Sequence, residues 1–370
     1  MSFETLDLAA LRRRSSEKWR KFPDDVLPSH IAEMDFAVAP PVEEALAAAV
    51  GEGDLGYAHA KSSGLYEAFT SFAQRRWAWK VDPAAVVAVP DVMVGVAELL
   101  RLLTPEGAGV VINPPVYPPF FSVIAETGRR VVEVPLVDMR LSLDGIREAL
   151  RAGARAVLLC NPHNPTGHVV PADDVRALGA IAAEHDALFL SDEIHAPLTM
   201  PGVTHVAAAS VAENAIVLTS ATKAWNLAGL KCGLTVGRPD VLARLPVDIH
   251  DRVGHLGVIA STAAFTHGEE WLDELRDYLH ETHRRLPELL AQHAPGVRAT
   301  PAQATFLAWL DFRETGLAND PAATVLERAR LSLLPGTNFG RVGAGFARLN
   351  VGTSHELVEE AVKRIGRSLG

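Results

Sequence analysis

Ser220-Ala221-Thr222-Lys223-Ala224-Trp225-Asn226-Leu227-Ala228-Gly229-Leu230-Lys231 is the stretch on which the reading of this chain turns. It follows the apolar run Ala215 to Leu218, which reads as a buried strand. A lysine just past such a strand, between small hydroxyl residues, sits at the mouth of a sheet. Desolvation there lowers its pKa and frees its amine to form a Schiff base. Ser220 and Thr222 offer hydroxyls and Lys231 a second cation, a set that suits a phosphate group anchored beside the amine. That stretch alone fits a surface lysine in a Ser/Thr-rich loop equally well; the rest of the chain decides.

Outward from it, short apolar runs alternate with helical patterns. Runs at 86–89, 110–112, 131–134, 156–160, 187–190, 215–218 and 233–236 read as strands. Helical spacing covers 42–50, opened by Pro40-Pro41, then 65–79, about 93–103, and 175–185. This alternation implies a mostly parallel sheet covered on both faces. Asn164, Asp192 and Lys223 each follow the carboxyl end of a separate strand, the edge at which open α/β sheets bind ligands. Beyond about residue 250, a long helical stretch at 269–293 containing Pro287 leads into a smaller α/β region. That region carries the strand-like runs 306–310 and 346–351.

At 370 residues the chain has room for about two domains. Its net charge of -10 argues against a general nucleic-acid binder. Cys160 and Cys232 each lie in or beside an apolar run and read as buried thiols. The N-terminus lacks an apolar signal core and no run approaches membrane-spanning length, so a cytoplasmic protein is expected. The 14 histidines show no spacing that demands a metal. His163 and His168, flanking a Pro/Gly turn, read as hydrogen-bonding or solvated residues.

Four motifs then combine: NPHNPTG at 161–167, SDEIH at 191–195, SATKAWNLAGLK at 220–231 and ARLN at 347–350. Together they resemble the class I/II aminotransferase family of fold-type I pyridoxal phosphate enzymes, over nearly the whole chain. AEMDFAVAPPV at 32–42, PPVYPPF at 114–120 and DEIHA at 192–196 resemble its cystathionine β-lyase branch, the MalY/PatB-type C–S lyases.

The resemblance implies an α/β fold-type I transferase fold, with a mostly parallel central sheet in a large domain and a smaller α/β C-terminal domain. Residues 1–40 would be an N-terminal segment packing with the small domain, 41–280 the large cofactor-binding domain and 281–370 the small domain. It implies pyridoxal 5'-phosphate as cofactor and no metal. Lys223 corresponds to the Schiff-base lysine, which would also shuttle the substrate's α-proton. Asp192 corresponds to the partner of the pyridine nitrogen, Asn164 to the donor for the phenolic oxygen and Tyr117 to the aromatic stacked on the ring. His195 stands where aminotransferases commonly carry tyrosine, as is usual in the lyase branch. The phosphate cup would comprise the amides of Val92 and Met93, the hydroxyls of Ser220 and Thr222, and Lys231. Tyr57 resembles the tyrosine that reaches the phosphate from the neighbouring subunit of a homodimer with shared sites. Arg348 corresponds to the arginine that binds the substrate α-carboxylate.

Three positions depart from the family pattern. Asp91 stands where relatives usually have glycine, an acid that suits a helix start but faces a phosphate. Lys231 stands where many aminotransferases have arginine. His30 stands where relatives often have an aromatic, near the expected pocket for the substrate side chain together with Val92 and Met93. The resemblance implies a lyase that splits cysteine conjugates such as cystathionine into thiol, pyruvate and ammonia. A class I/II aminotransferase is the alternative.

Overall fold

In the structure, a computed structural model describing residues 3–317 and 319–370, seven short strands pair into one large sheet. In chain order they are β1 (Val86–Val89), β2 (Gly109–Ile112), β3 (Arg130–Glu133), β4 (Ala154–Cys160), β5 (Leu188–Asp192), β6 (Ala215–Thr219) and β7 (Gly233–Val236). Their spatial order is β1-β7-β6-β5-β4-β2-β3. All neighbours run parallel except β7, which is antiparallel to both β1 and β6. The central strands β4 to β7 are almost wholly buried, as expected for a sheet covered on both faces.

Register determines what this sheet presents at its carboxyl edge. Cys160 pairs with Asp192, and Asp192 with Leu218, so β4, β5 and β6 end level with one another. Because β7 runs the other way, its first residue, Gly233, sits opposite Val89, the last residue of β1. Four turns therefore open at one rim. The helix Val92–Leu103 packs tightly across this sheet: a Cβ at Gly95 would lie 2.8 Å from the Leu218 side chain, so the close approach requires glycine.

Two apolar cores cover the faces of the large sheet, and a third fills the smaller C-terminal unit. The helix Glu269–His293 bridges these bodies. Leu272, Leu275 and Leu279 pack into a core of the large sheet, while Leu286 and Leu290 pack into the C-terminal core. The C-terminal unit is built on the antiparallel pair Leu307–Asp311 and Phe346–Asn350. The N-terminal segment touches both bodies. Leu27–Pro28 pairs with Leu331–Ser332 of the C-terminal unit, whereas Met34 and Phe36 join the large core.

Several expectations are corrected in detail. The helix expected at 65–79 ends at Trp77, because Ala78 turns into the left-handed region with φ of 51°. The helix expected from about 93 begins at Val92, capped by Asp91. Among helices of nine residues or more, four had no counterpart in the reading of the sequence: Leu143–Arg151, His255–His267, Pro321–Ala329 and His355–Leu369. Both cysteines are free and buried, as expected. His163 is buried, with its ring nitrogens 3.3 Å from the Asn113 carbonyl and 3.1 Å from Thr166 Oγ1. Among the described residues no helix is long and apolar enough to cross a membrane, and no cluster of potential ligands would hold a metal.

Candidate active site

At the rim where β4, β5 and β6 end lies a pocket lined by Asp91, Val92, Met93, Tyr117, Asn164, Asp192, His195, Ser220, Thr222, Lys223 and Lys231, with Ala32, Cys160 and Cys232 also in its wall. One side is built for an anion. The helix Val92–Leu103 points its N-terminus at the pocket, and the Val92 and Met93 amides have no protein acceptor among the described residues. Such free amides at the positive end of a helix form a ready anion site. Strand β7 presses against this turn. A Cβ at Gly233 would lie 3.0 Å from the Asp91 carbonyl carbon and 3.1 Å from the Val92 nitrogen. Ser220 Oγ lies 2.5 Å from the Cys232 carbonyl oxygen and 2.8 Å from Thr222 Oγ1, which fixes both hydroxyls beside the free amides. Asp91 forms a regular cap rather than a distortion, accepting the Val94 N–H at 2.9 Å.

Lys223 lies four residues beyond the end of β6, half-buried, with its ammonium donating to the Ala32 carbonyl at 2.8 Å. Burial, reinforced by the nearby Arg348 cation, lowers its pKa from 10.5 to about 8. Asp192 is buried and forms no ion pair among the described residues; burial pushes its carboxyl up to about 7, although the Ile194 N–H opposes this at 3.1 Å. A carboxylate in that condition is held ready for a cation brought by a ligand.

Arg348, in the strand Phe346–Asn350, reaches the same region from the C-terminal unit. It donates to Asn164 Oδ1 and to the His30 carbonyl, each at 3.0 Å. It is buried over the Phe339 ring, pairs with no carboxylate among the described residues, and its Nε has no partner. Burial lowers its pKa to about 10. A buried guanidinium without a counter-anion costs free energy unless a ligand anion supplies one.

Tyr117 flanks the pocket, with burial, and then the Asp192 charge, raising its phenol to about 12. His195 is buried, tilted against Phe306 at 6.0 Å between ring centres, with Nδ1 unpartnered. Burial and the Lys223 and Arg348 cations depress it to about 3, so its ring is neutral. Of the residues singled out for the site in the sequence, Tyr57, Arg348 and His30 fall outside the pocket lining. Arg348 joins it through Asn164, whereas Tyr57 is 92% exposed and takes no part in its own chain's pocket. The His30 ring is buried, bonded through Nδ1 to Ser332 at 2.8 Å and packed edge-on against Phe22, while its carbonyl accepts from Arg348. Ala32, Cys160 and Cys232 were not anticipated as site residues. Only Cys160 carried a signal, as the last residue of the strand before NPHNPTG.

A desolvated amine, an uncompensated buried carboxylate, a cluster of free amides and hydroxyls, and a buried guanidinium thus surround one cavity. This donor set fits a cofactor that carries a carbonyl, a basic ring nitrogen and a phosphate, together with a carboxylate-bearing substrate.

The chain belongs to the family described as aminotransferase class I and II, whose sequence model matches residues 31–365. The comparison extends to particular relatives. It is 43% identical to a proposed cystathionine beta-lyase of Mycobacterium tuberculosis, over 99% of this chain and 98% of the other. It is 38% identical to the cystathionine beta-lyase of Corynebacterium glutamicum, over 98% and 99% of the two chains. A crystal structure of a proposed PLP-dependent beta-cystathionase from Corynebacterium diphtheriae matches with a TM-score of 0.95 at 34% identity, covering 99% of each chain. These neighbours share the fold-type I architecture expected from the sequence.

Proposed function

We propose that the chain is a pyridoxal-phosphate-dependent carbon–sulfur β-lyase, cleaving cysteine S-conjugates such as cystathionine to a thiol, pyruvate and ammonia. The observation that carries this reading is the meeting of Lys223 and Asp192 in one cavity, with Arg348 held next to it through Asn164 and none of the three in a salt bridge among the described residues. The names of the full-length relatives support elimination as the outcome.

When bound, pyridoxal phosphate supplies the electron sink for bond breaking at the substrate's α-carbon. The rest falls to the protein. Lys223 Nζ, its pKa lowered to about 8 by burial, would hold the cofactor and, once the substrate amine has displaced it, would take the proton from the substrate α-carbon. Asp192 would keep a proton on the cofactor's ring nitrogen, and beside that cation its carboxylate would be stabilised in the charged form that burial alone disfavours. Asn164 would hold the phenolic oxygen and Tyr117 would cover the ring. Ser220, Thr222, Lys231 and the Val92 and Met93 amides would take the phosphate. Arg348 binds the substrate carboxylate and so fixes which bond at the α-carbon faces Lys223. The β C–S bond would break with the electron pair leaving on sulfur as thiolate, the proton taken by Lys223 would pass to that thiolate or to solvent, and one water would convert the three-carbon imine to pyruvate and ammonia.

The same reading makes the active unit a homodimer in the cytoplasm. Tyr57, exposed on its own chain, would complete the phosphate site of the partner, and the free thiols of Cys160 and Cys232 suit a reducing compartment. Residues 41–280 would form the large domain and 281–370 the small one, with 1–40 as the N-terminal segment against it. Product analysis tests the reaction. Incubation with cystathionine or an S-alkyl cysteine, without any keto acid, should give steady thiol and pyruvate. Turnover only when a keto acid is supplied, with nitrogen stored on the cofactor, would make the chain an aminotransferase.

A further inference from the structure

Asp91 does two things at once in the phosphate-binding corner. Its Oδ1 accepts the Val94 N–H at 2.9 Å, and its Oδ2 lies 3.3 Å from Lys231 Nζ. Both residues line the pocket beside Ser220 and Thr222. The Lys231 side chain is 62% exposed and makes this one ion pair among the described residues. Its backbone is held at φ of 56°, so its ammonium swings from a fixed point at the pocket mouth. The Lys231 cation is therefore shared with a built-in anion before any phosphate arrives.

We propose that Asp91 is a charge counterweight in the phosphate cup, one that pairs with Lys231 and lowers the affinity of the cup for the cofactor phosphate. This rests on the reading of the pocket as a pyridoxal phosphate site. The free amides and hydroxyls supply hydrogen bonds whether or not Asp91 is charged. Coulomb attraction is the part that Asp91 cancels, in two ways: it neutralises Lys231, and it stands as a like charge beside the phosphate. The result is a cup that recognises phosphate by shape and hydrogen bonding, with little net charge, and releases the cofactor more readily than an uncompensated one. A rival account makes Asp91 only a helix cap. The two separate cleanly in Asp91→Asn, because asparagine caps as well as aspartate but carries no charge.

Two measurements test the proposal. Inorganic phosphate is titrated calorimetrically into the cofactor-free protein, and release of pyridoxal phosphate from the loaded protein is followed by its absorbance during dialysis. Asp91→Asn should bind phosphate about fivefold more tightly and release the cofactor about fivefold more slowly, the scale of one ion-pair contact in a wet site. Lys231→Gln should shift both in the opposite direction. In the Lys231→Gln background, Asp91→Asn should have a smaller effect than in the wild type, since the lysine is no longer there to be unmasked. Phosphate affinity and release unchanged or weakened in Asp91→Asn, with the cofactor held by both proteins, would overturn this proposal alone. A wild-type protein that holds no pyridoxal phosphate would overturn the cofactor reading and this proposal with it.

Discussion

Arg348 Nη1 donates to Asn164 Oδ1 across 3.0 Å, joining two residues 184 positions apart. The bond ties a strand of the C-terminal unit to the turn that leaves β4, so the group proposed for the substrate and the group proposed for the cofactor ring position each other. Its consequence is that the guanidinium is presented ready-made, with side-chain entropy already spent in the fold. Arg348→Ala should weaken every amino-acid substrate by a similar factor, because the α-carboxylate is common to all. Losing a desolvated charge contact of this kind costs roughly 2–5 kcal/mol. Arg348→Lys should recover only part of it, since an ammonium cannot make the planar fork. The check is kcat/KM for several S-substituted cysteines; unchanged values in Arg348→Ala would remove the residue from the site.

The lowered pKa of Lys223 makes a prediction about pH. Only a neutral amine attacks a carbonyl, so attachment of pyridoxal phosphate to the cofactor-free protein should accelerate with pH and level off above about 8. An ordinary lysine would keep accelerating past that point. Stability has a definite sign as well. The folded value lies below the unfolded 10.5, so between the two the unfolded chain binds more protons. The buried amine therefore destabilises the cofactor-free fold fully below about 8, and the penalty fades as pH rises through 10.5. Lys223→Met should raise the cofactor-free Tm at pH 7, with the gap narrowing as pH increases. A gap that widened with pH would contradict the assignment.

Tyr57 gives a test of the shared site. Protomers carrying Tyr57→Ala and protomers carrying Lys223→Ala should each be weak alone. After mixed refolding, random pairing gives half mixed dimers with one intact site each, so about a quarter of wild-type activity should return. A fully active monomer by sedimentation at assay concentration would rule the arrangement out.

What the sequence disclosed and what it withheld divide along physical lines. The strands of the large sheet are short apolar runs ending in polar turns, and that contrast is local, so Asn164, Asp192 and Lys223 could be placed at one rim before any coordinates. The helix Leu143–Arg151 was missed because nine residues hold too few periods to stand out. The helix His255–His267 was missed for a different reason: it is apolar or small on nearly all sides and shows little amphipathic contrast. The pairing of Asp91 with Lys231 spans 140 residues, and the pairing of β7 with β1 spans a similar distance, for which no local pattern exists. The site itself was legible because its chemistry demands rare residue types at strand ends. The backbone carbonyls of His30 and Ala32, which take Arg348 and Lys223, carry no residue-type signal at all.

Those carbonyls depend on an ion pair remote from the chemistry. Lys18 Nζ lies 2.7 Å from Asp35 Oδ2, with the two side chains only 1% and 3% exposed. Trp19 Nε1 donates to Asp35 Oδ1 at 2.9 Å, and Lys18 also donates to the Glu33 carbonyl at 2.9 Å. Between His30 and Asp35 the chain offers carbonyls in succession: His30 to Arg348, Ala32 to Lys223, and Ile31 and Glu33 to Asn350. The ion pair pins one end of this run. Removing one partner leaves the other charge buried and unpaired, so Lys18→Met should cost about 3–5 kcal/mol of unfolding free energy. Lys18→Met with Asp35→Leu should cost less than the single change, since no charge is then stranded. At a temperature where Lys18→Met stays folded, KM for an amino-acid substrate should rise as well, because Arg348 loses a fixed acceptor. Denaturant unfolding and steady-state kinetics measure both effects. A single variant with an unchanged unfolding midpoint would show that the pair does not hold the segment, and an unchanged KM in a destabilised variant would show that the segment does not position Arg348.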